Sequence, residues 1–238
     1  MPASPFPLLR HSRSRTTWLR PFADRLHIAL FTKEDGNISF AKAATAIGAK
    51  NFATLNQIHG NRTIRVTHPF DRTEDADGMI TDVPNLALIV RAADCQMFVI
   101  VAPEQHVIGT LHVGWRGLVA GAIPEFFRAL DEHWHITPAE TYVVAGPSLC
   151  MQCAEFTDPP RELPQLSTRF IRGRHVDLRA AADAELHALG IPSAHRERNS
   201  DCTCCRSQAY WTWRGGDRDA VKAGHTNLLA CTLTPVLA

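Results

Sequence analysis

Residues 86–117, LALIVRAADCQMFVIVAPEQHVIGTLHVGWRG, decide how the rest of the chain reads. Within them 86–90, 97–101 and 107–113 are short apolar runs rich in β-branched residues. Runs of that length and composition predict strands buried on both faces. Arg91 and Asp94 separate the first two, so neither approaches the roughly 20 apolar residues that cross a bilayer. After the third, Gly114-Trp115-Arg116-Gly117 turns the chain into a predicted helix ending near Leu130.

Outward from this stretch, 26–32 reads as a first strand and 40–49 as a short Ala-rich helix. Residues 51–58 and 63–67 read as a strand pair joined through the turn-forming His59-Gly60-Asn61. Residues 142–145 form a strand running into Gly146-Pro147, and 178–189 an amphipathic helix stopped by Gly190 and Pro192. The chain closes with 209–213 and 228–233 as strands, or as a strand plus a helix. Strands dominate and helices do not alternate with them, so the expected class is α+β: mixed β-sheets with flanking helices. No Pro/Gly/Ser-rich linker or fixed-period repeat divides the 238 residues, and 45% are hydrophobic, so one domain over 1–238 is expected.

The first 25 residues are read as a loosely ordered lead-in. Arg10, Arg13, Arg15 and Arg20 precede the first acidic residue, Asp24, as in organelle transit peptides, but a solvated approach to the first strand is the favoured reading. Lys and Arg total 25 against 24 Asp and Glu, which leaves no basic footprint for nucleic acid, and no membrane partner is expected. Seven cysteines in a chain of this length read as reduced thiols of a cytoplasmic protein.

Candidate chemistry gathers at strand ends. His59 precedes Gly60, Cys95 follows Asp94, and His112 precedes the Gly114–Gly117 turn. Two imidazoles and a thiolate with a fourth position open can hold catalytic zinc, and the same set can hold copper. Separations of 36 and 17 residues fit no local metal motif, so spacing alone leaves structural histidines as the plainer reading. Arg91, four residues from Cys95 on one predicted strand and hence on its face, either reaches an anion at the metal or pairs with Asp94 or Asp77. Arg116 and the Gly117 amide stand at a helix start, where phosphate binds readily, and Trp115 either stacks on a base or packs. Cys150-x-x-Cys153 and Cys202-x-x-Cys205 have the form of a four-cysteine zinc site. The 48 residues between the pairs exceed the roughly 15–20 of ribbon patterns, so packing thiols are expected there.

Several segments in order resemble a known family. Gln57-Ile58-His59-Gly60, Ala76-Asp77 with Thr81, and Arg91-Ala92-Ala93-Asp94-Cys95 come first, then His112-Val113-Gly114-Trp115-Arg116-Gly117. Gly146-Pro147-Ser148-Leu149 with Cys153 and Glu155, Asp177-Leu178, and Cys202-Thr203 with Cys205 follow. Together they are similar to the YfiH-like, laccase-domain purine nucleoside phosphorylases. The resemblance implies a fold related to cysteine-dependent toxin deamidases, and metal ligands at His59, Cys95 and His112. It further implies catalytic roles for Cys95, Arg91 and Asp94 and substrate contacts from Arg116, Trp115 and Arg214. The implied reaction is phosphorolysis of adenosine, inosine and methylthioadenosine to the free base and ribose 1-phosphate, with adenosine deamination as a second activity. The partners are then purine nucleosides and phosphate, and the cofactor zinc, with copper possible, in a monomer or homodimer. Two departures stand out. The segment before residue 50 is short, with only Thr32, Gly36 and Ser39 matching the usual start, and Thr212-Trp213-Arg214-Gly215 carries one arginine where the family has two.

Two rival readings remain. A copper polyphenol oxidase would need repeated His-x-His pairs, whereas His133-Trp134-His135 is a single pair in a helix-like segment. A non-catalytic binding partner is favoured by the missing arginine and opposed by the intact His-Cys-His set. For the proton on the departing base, Asp94 and His68 are the candidates.

Overall fold

A computed structural model describes Phe22 and residues 25–235. The arginine-rich start, with Arg10, Arg13, Arg15 and Arg20, lies outside the described residues. Thirteen strands are described: β1 Leu26–Phe31, β2 Asn51–Asn56, β3 Thr63–Arg65, β4 Phe70–Asp75, β5 Gly78–Thr81, β6 Leu86–Ala92, β7 Gln96–Ala102, β8 Val107–Val113, β9 Tyr142–Ala145, β10 Ile171–Arg172, β11 His175–Val176, β12 Arg196–Arg198 and β13 Asn227–Leu233. Six α-helices accompany them among the described residues: α1 Phe40–Ala46, α2 Trp115–Val119, α3 Ala122–Trp134, α4 Pro159–Glu162, α5 Leu178–Ala188 and α6 Arg218–Lys222. The class is the expected α+β with mixed sheets.

Two sheets carry the fold, one ordered β1-β13-β6-β2-β4 and the other β12-β9-β7-β8-β5-β3. The alternation within the central strands shows how they stack. Leu86, Leu88 and Val90 of β6 and Met97, Val99 and Val101 of β7 share one core between the sheets. Ala87 and Ile89 point the other way and pack under α1 on Ala43, Ala44 and Ile47. Phe98 and Ile100 point outward beneath Phe126 and Phe127 of α3 and Leu186 of α5. Both faces of each sheet are therefore covered, which explains why 86–90 and 97–101 are apolar without alternation. None of the described helices is long and apolar enough to cross a membrane.

Three elements depart from expectation. The 51–58 and 63–67 segments do not pair: β2 lies between β6 and β4, whereas β3 pairs with β5 in the other sheet. The His59 segment is thus a crossing between sheets and not a hairpin turn. The helix expected to run to Leu130 is two helices, broken at Gly121 with φ 79. Residues 209–213 form no strand; Tyr210 and Thr212 are buried in an irregular loop held by local backbone bonds and by the Asn227 and Asp94 side chains.

Candidate metal centre and active site

Three connections run from the five-stranded to the six-stranded sheet, β2 to β3, β4 to β5 and β6 to β7, and all three pass one point. β2 leads through His59 into β3, and β6 leads through Cys95 into β7, while His112 arrives near the end of β8. One ligand-type atom from each of the three lies within 4.8 Å of the others. The two imidazoles meet edge to face, with centroids 4.8 Å apart and planes at 89°.

Asp77 organises this point, and it is fully buried. Its Oδ1 accepts from the His59 amide (3.1 Å) and from His112 Nδ1 (2.8 Å), and its Oδ2 accepts from the Gly60 amide (2.6 Å). Those amide bonds hold His59 at φ 61, a left-handed conformation that costs a non-glycine residue about 1–3 kcal/mol. A carboxylate only accepts, so His112 carries its proton on Nδ1 and keeps Nε2 as its ligand atom. Glycine at 114 is demanded by closeness: a Cβ there would lie 2.8 Å from His59 Cδ2 and 3.2 Å from Cys95 Sγ. At Gly117 a Cβ would meet the Gly60 carbonyl at 2.8 Å. Gln57 clamps the crossing to its neighbour, since its side chain accepts from Arg91 N (2.9 Å) and donates to Arg91 O (2.8 Å).

The buried groups polarise one another. Burial alone would push the Cys95 thiol up, but the charge and hydrogen bonds of His112, and then those of His59, pull it down to about 6. Burial would likewise lower His112, yet the Cys95 thiolate and the Asp77 bond raise it to about 9. The pair is thus a thiolate beside an imidazolium: the sulfur is already in the form a metal takes up, and His112 would give up its second proton on binding one.

Asp94, next in sequence to Cys95, sits at φ 97. Its Oδ1 accepts from Thr203 Oγ1 (2.7 Å) and Thr212 Oγ1 (2.6 Å), and its Oδ2 from Arg214 N (2.7 Å). It therefore anchors the irregular 201–217 loop. Arg91 and Cys95 do not share a strand face, because β6 ends at Ala92 and Cys95 lies in the three-residue bend before β7. Nor does Arg91 pair with Asp94 or Asp77, whose oxygens the donors above occupy.

A cavity of about 600 Å³ opens on the cluster, with Arg91, Asp94, Trp115, Arg116 and Arg214 in its wall. Trp115 meets Phe156 edge-on at 6.0 Å, and the Arg116 guanidinium lies 4.2 Å from the Trp115 ring centroid. α2 has only five residues, so the positive charge at this point of the wall is that of Arg116 rather than of a helix field. Arg218, on α6 three residues beyond Gly215, lines the same cavity and adds a cation on the side where the sequence lacks one. His68 is exposed and lies outside the cavity.

Sequence reasoning passed over Asp77, Gln57, Thr203 and Thr212 as functional groups, although all four stand in quoted motifs, and Arg218 carried no signal. Cys150, Cys153, Cys202 and Cys205, expected to be packing thiols, have their sulfurs within 4.8 Å of one another. The 48-residue gap is spanned because the ends of β9 and β12 lie side by side, in parallel, before both cysteine segments.

Residues 33–231 match the profile of a family described as multi-copper polyphenol oxidoreductase laccase. The chain belongs to that family. It is 28% identical over 189 residues to the purine nucleoside phosphorylase YlmD of Geobacillus stearothermophilus, covering 71% of this chain and 69% of that one. It is 27% identical to adenosine deaminase RL5 from an unknown prokaryotic organism, over 64% of this chain and 61% of that one. The crystal structure of G. stearothermophilus YlmD superposes with a TM-score of 0.76 at 23% identity, over 90% of this chain and 94% of that chain. That of Bacillus licheniformis YfiH gives 0.69 at 24%, over 82% and 79%. The family fold is thus shared, with relatives named for purine nucleoside chemistry.

Proposed function

We propose that this chain is a cytoplasmic, zinc-dependent purine nucleoside phosphorylase. It would convert adenosine, inosine and methylthioadenosine to the free base and ribose 1-phosphate, with adenosine deamination as a second activity. The observation that carries the reading is the meeting of His59, Cys95 and His112 in one cavity with Arg91, Arg116 and Arg214. Relatives named phosphorylase and deaminase support the substrate class.

His59, Cys95 and His112 would hold the ion, and Asp77 would fix His112 as its ligand. Two imidazoles and one thiolate fit zinc with one position open. The ion supplies Lewis-acid charge next to the bound substrate. The arginines bind phosphate and aim one of its oxygens at the anomeric carbon, where a bond to oxygen forms as the bond to the base breaks. Phe156, Leu149 and Leu178 give the cavity an apolar wall that suits a purine. Asp94 acts as a positioning residue, because its three hydrogen bonds set the Arg214 backbone. His133 and His135 belong to neither group of clustered ligands among the described residues, which favours phosphorolysis over multicopper oxidation.

Adenosine and phosphate incubated with the protein should give adenine and ribose 1-phosphate, with adenine release dependent on phosphate. Inosine as the main product would make deamination the principal activity. No product from any purine nucleoside, with the metal confirmed, would favour the binding-partner reading.

A further inference from the structure

Away from the catalytic cavity, the structure assigns a second metal site: we infer that Cys150, Cys153, Cys202 and Cys205 bind one structural zinc ion as thiolates. The inference does not depend on what the chain catalyses. The Sγ atoms of Cys150 and Cys205 are 3.9 Å apart and those of Cys153 and Cys205 3.5 Å, with all four within 4.8 Å. A tetrahedron with Zn–S bonds of about 2.3 Å has sulfur–sulfur edges of about 3.8 Å. A disulfide would need about 2.05 Å. All four cysteines are free.

The surroundings are those of a thiolate cage. Each pair is a Cys-x-x-Cys turn, and the first wraps a 3-10 turn at Met151–Cys153. Cys202 Sγ accepts from the amides of Cys150 (3.2 Å) and Cys205 (3.5 Å). Amide donors to sulfur stabilise the thiolate and orient it, as the outer shell of a metal site does. An isolated bridge between Ser148 and Cys202, with Thr203 N donating to Ser148 O (3.1 Å), holds the two turns in register. Four thiolates around one divalent ion carry a net charge of −2, which needs a nearby cation. Arg179 spans the two segments, donating to the carbonyls of Ser148, Ser200 (3.0 Å) and Asp201 and to the Ser148 hydroxyl (3.1 Å). Those bonds end on neutral oxygens, and its charge is felt by Cys202 and Cys150 as well as by Asp177.

The ion would act as a staple. Thr203 lies inside the second turn and holds Asp94, while Leu149, one residue before Cys150, donates its amide to the Asp94 carbonyl (3.2 Å). Joining the two turns therefore fixes the loop that carries Arg214 into the cavity wall. On binding, each thiol gives its proton to solvent as its sulfur takes up the zinc, with no change of oxidation state.

The test uses the full chain, purified without chelator. Elemental analysis of the Cys150→Ser/Cys205→Ser variant should find one zinc per chain fewer than the parent. His59→Ala should retain the zinc that this pair loses. Cobalt(II) in the parent should show the intense sulfur-to-metal absorption of a tetrathiolate site, and the double variant should lose it. Should the double variant fold poorly, peptide mapping of the alkylated parent answers the question. Cys204, outside the cage, should label about tenfold or more faster than the four ligands, and chelation should abolish the difference. Equal zinc content in parent and double variant would overturn the assignment. So would iron in place of zinc, or an intact mass showing the four thiols oxidised to disulfides.

Discussion

Asp77 is the residue on which the His-Cys-His point turns, since one side chain sets the backbone of His59 and the tautomer of His112. In Asp77→Asn one oxygen becomes an amide nitrogen, so a donor must face the Gly60 amide or the His59 amide and His112 Nδ1. Losing such an outer-shell partner typically costs about 10–100-fold in metal affinity. Competition against a chromophoric chelator should show that loss, and an unchanged affinity would remove Asp77 from the metal's support. Cys95 gives a second expectation. Its thiol is pulled down to about 6 and His112 is raised to about 9, so the pair is charged between those values. The depressed thiol contributes stability that is lost as pH falls through 6, and the raised imidazole contributes stability lost as pH rises through 9. In chelated protein, alkylation of Cys95 should level off above about pH 7 instead of climbing to the ordinary thiol range. With zinc restored, labelling should slow at every pH; rapid labelling of zinc-loaded protein, with loss of activity, would make Cys95 a nucleophile rather than a ligand. The motifs named His59, Cys95 and His112 through resemblance alone, because separations of 36 and 17 residues carry no spacing signal. The role of Asp77 was illegible, since two of its three partners are backbone amides that no side-chain pattern marks and the third, His112, lies 35 residues away.

Among elements, the turn from β8 into α2 is the tightest. Gly114 has φ −75, an ordinary value, so its lack of a side chain serves contact and not conformation. Gly114→Ala should press a methyl against His59 and Cys95, costing about 1–3 kcal/mol of overpacking. For a chain this size that lowers Tm by about 2–4 °C per kcal/mol and should weaken metal binding as well. Gly173→Ala is the control: its φ of 60 is strained for alanine but the space is open, so stability should fall by about 1 kcal/mol with metal content unchanged. Equal metal loss in both variants would show that closeness at 114 is not what matters. The strands of 86–113 were legible because apolar runs of that length have few other homes. Which sheet each joined was not, because β6 and β7 read alike although only three residues separate them. The 209–213 loop misled for a related reason: its apolar and aromatic residues are buried as a strand's would be. Its backbone is held instead by the Asn227 side chain and by Asp217, and its Thr212 hydroxyl by Asp94.

At the scale of the molecule, the candidate centre lies where the two sheets are joined. Two of its three side chains stand on two of the three stretches where the chain steps from the five-stranded to the six-stranded sheet, β2 to β3 and β6 to β7, and the third closes the gap from β8. A bound ion therefore ties segments that the central core of Leu88, Val90, Met97 and Val99 packs but does not cross-link. Binding to the native state alone stabilises by RT ln(1 + [L]/Kd), about 2.7 kcal/mol when free metal is about 100 times Kd. Chelation should then lower Tm by about 5–10 °C for a chain of this length. Hydrogen exchange should show where: residues 57–60, 93–96 and 112–117 should lose protection, while 98–101 and 108–111, paired within the β7–β8 ladder, should keep theirs. Running Cys150→Ser/Cys205→Ser in parallel separates the two proposed ions, because in that variant the remaining response to chelation belongs to the His59 centre alone. Unchanged exchange at 57–60 and 93–96 after chelation would mean that no ion joins the sheets there, whatever the fall in Tm.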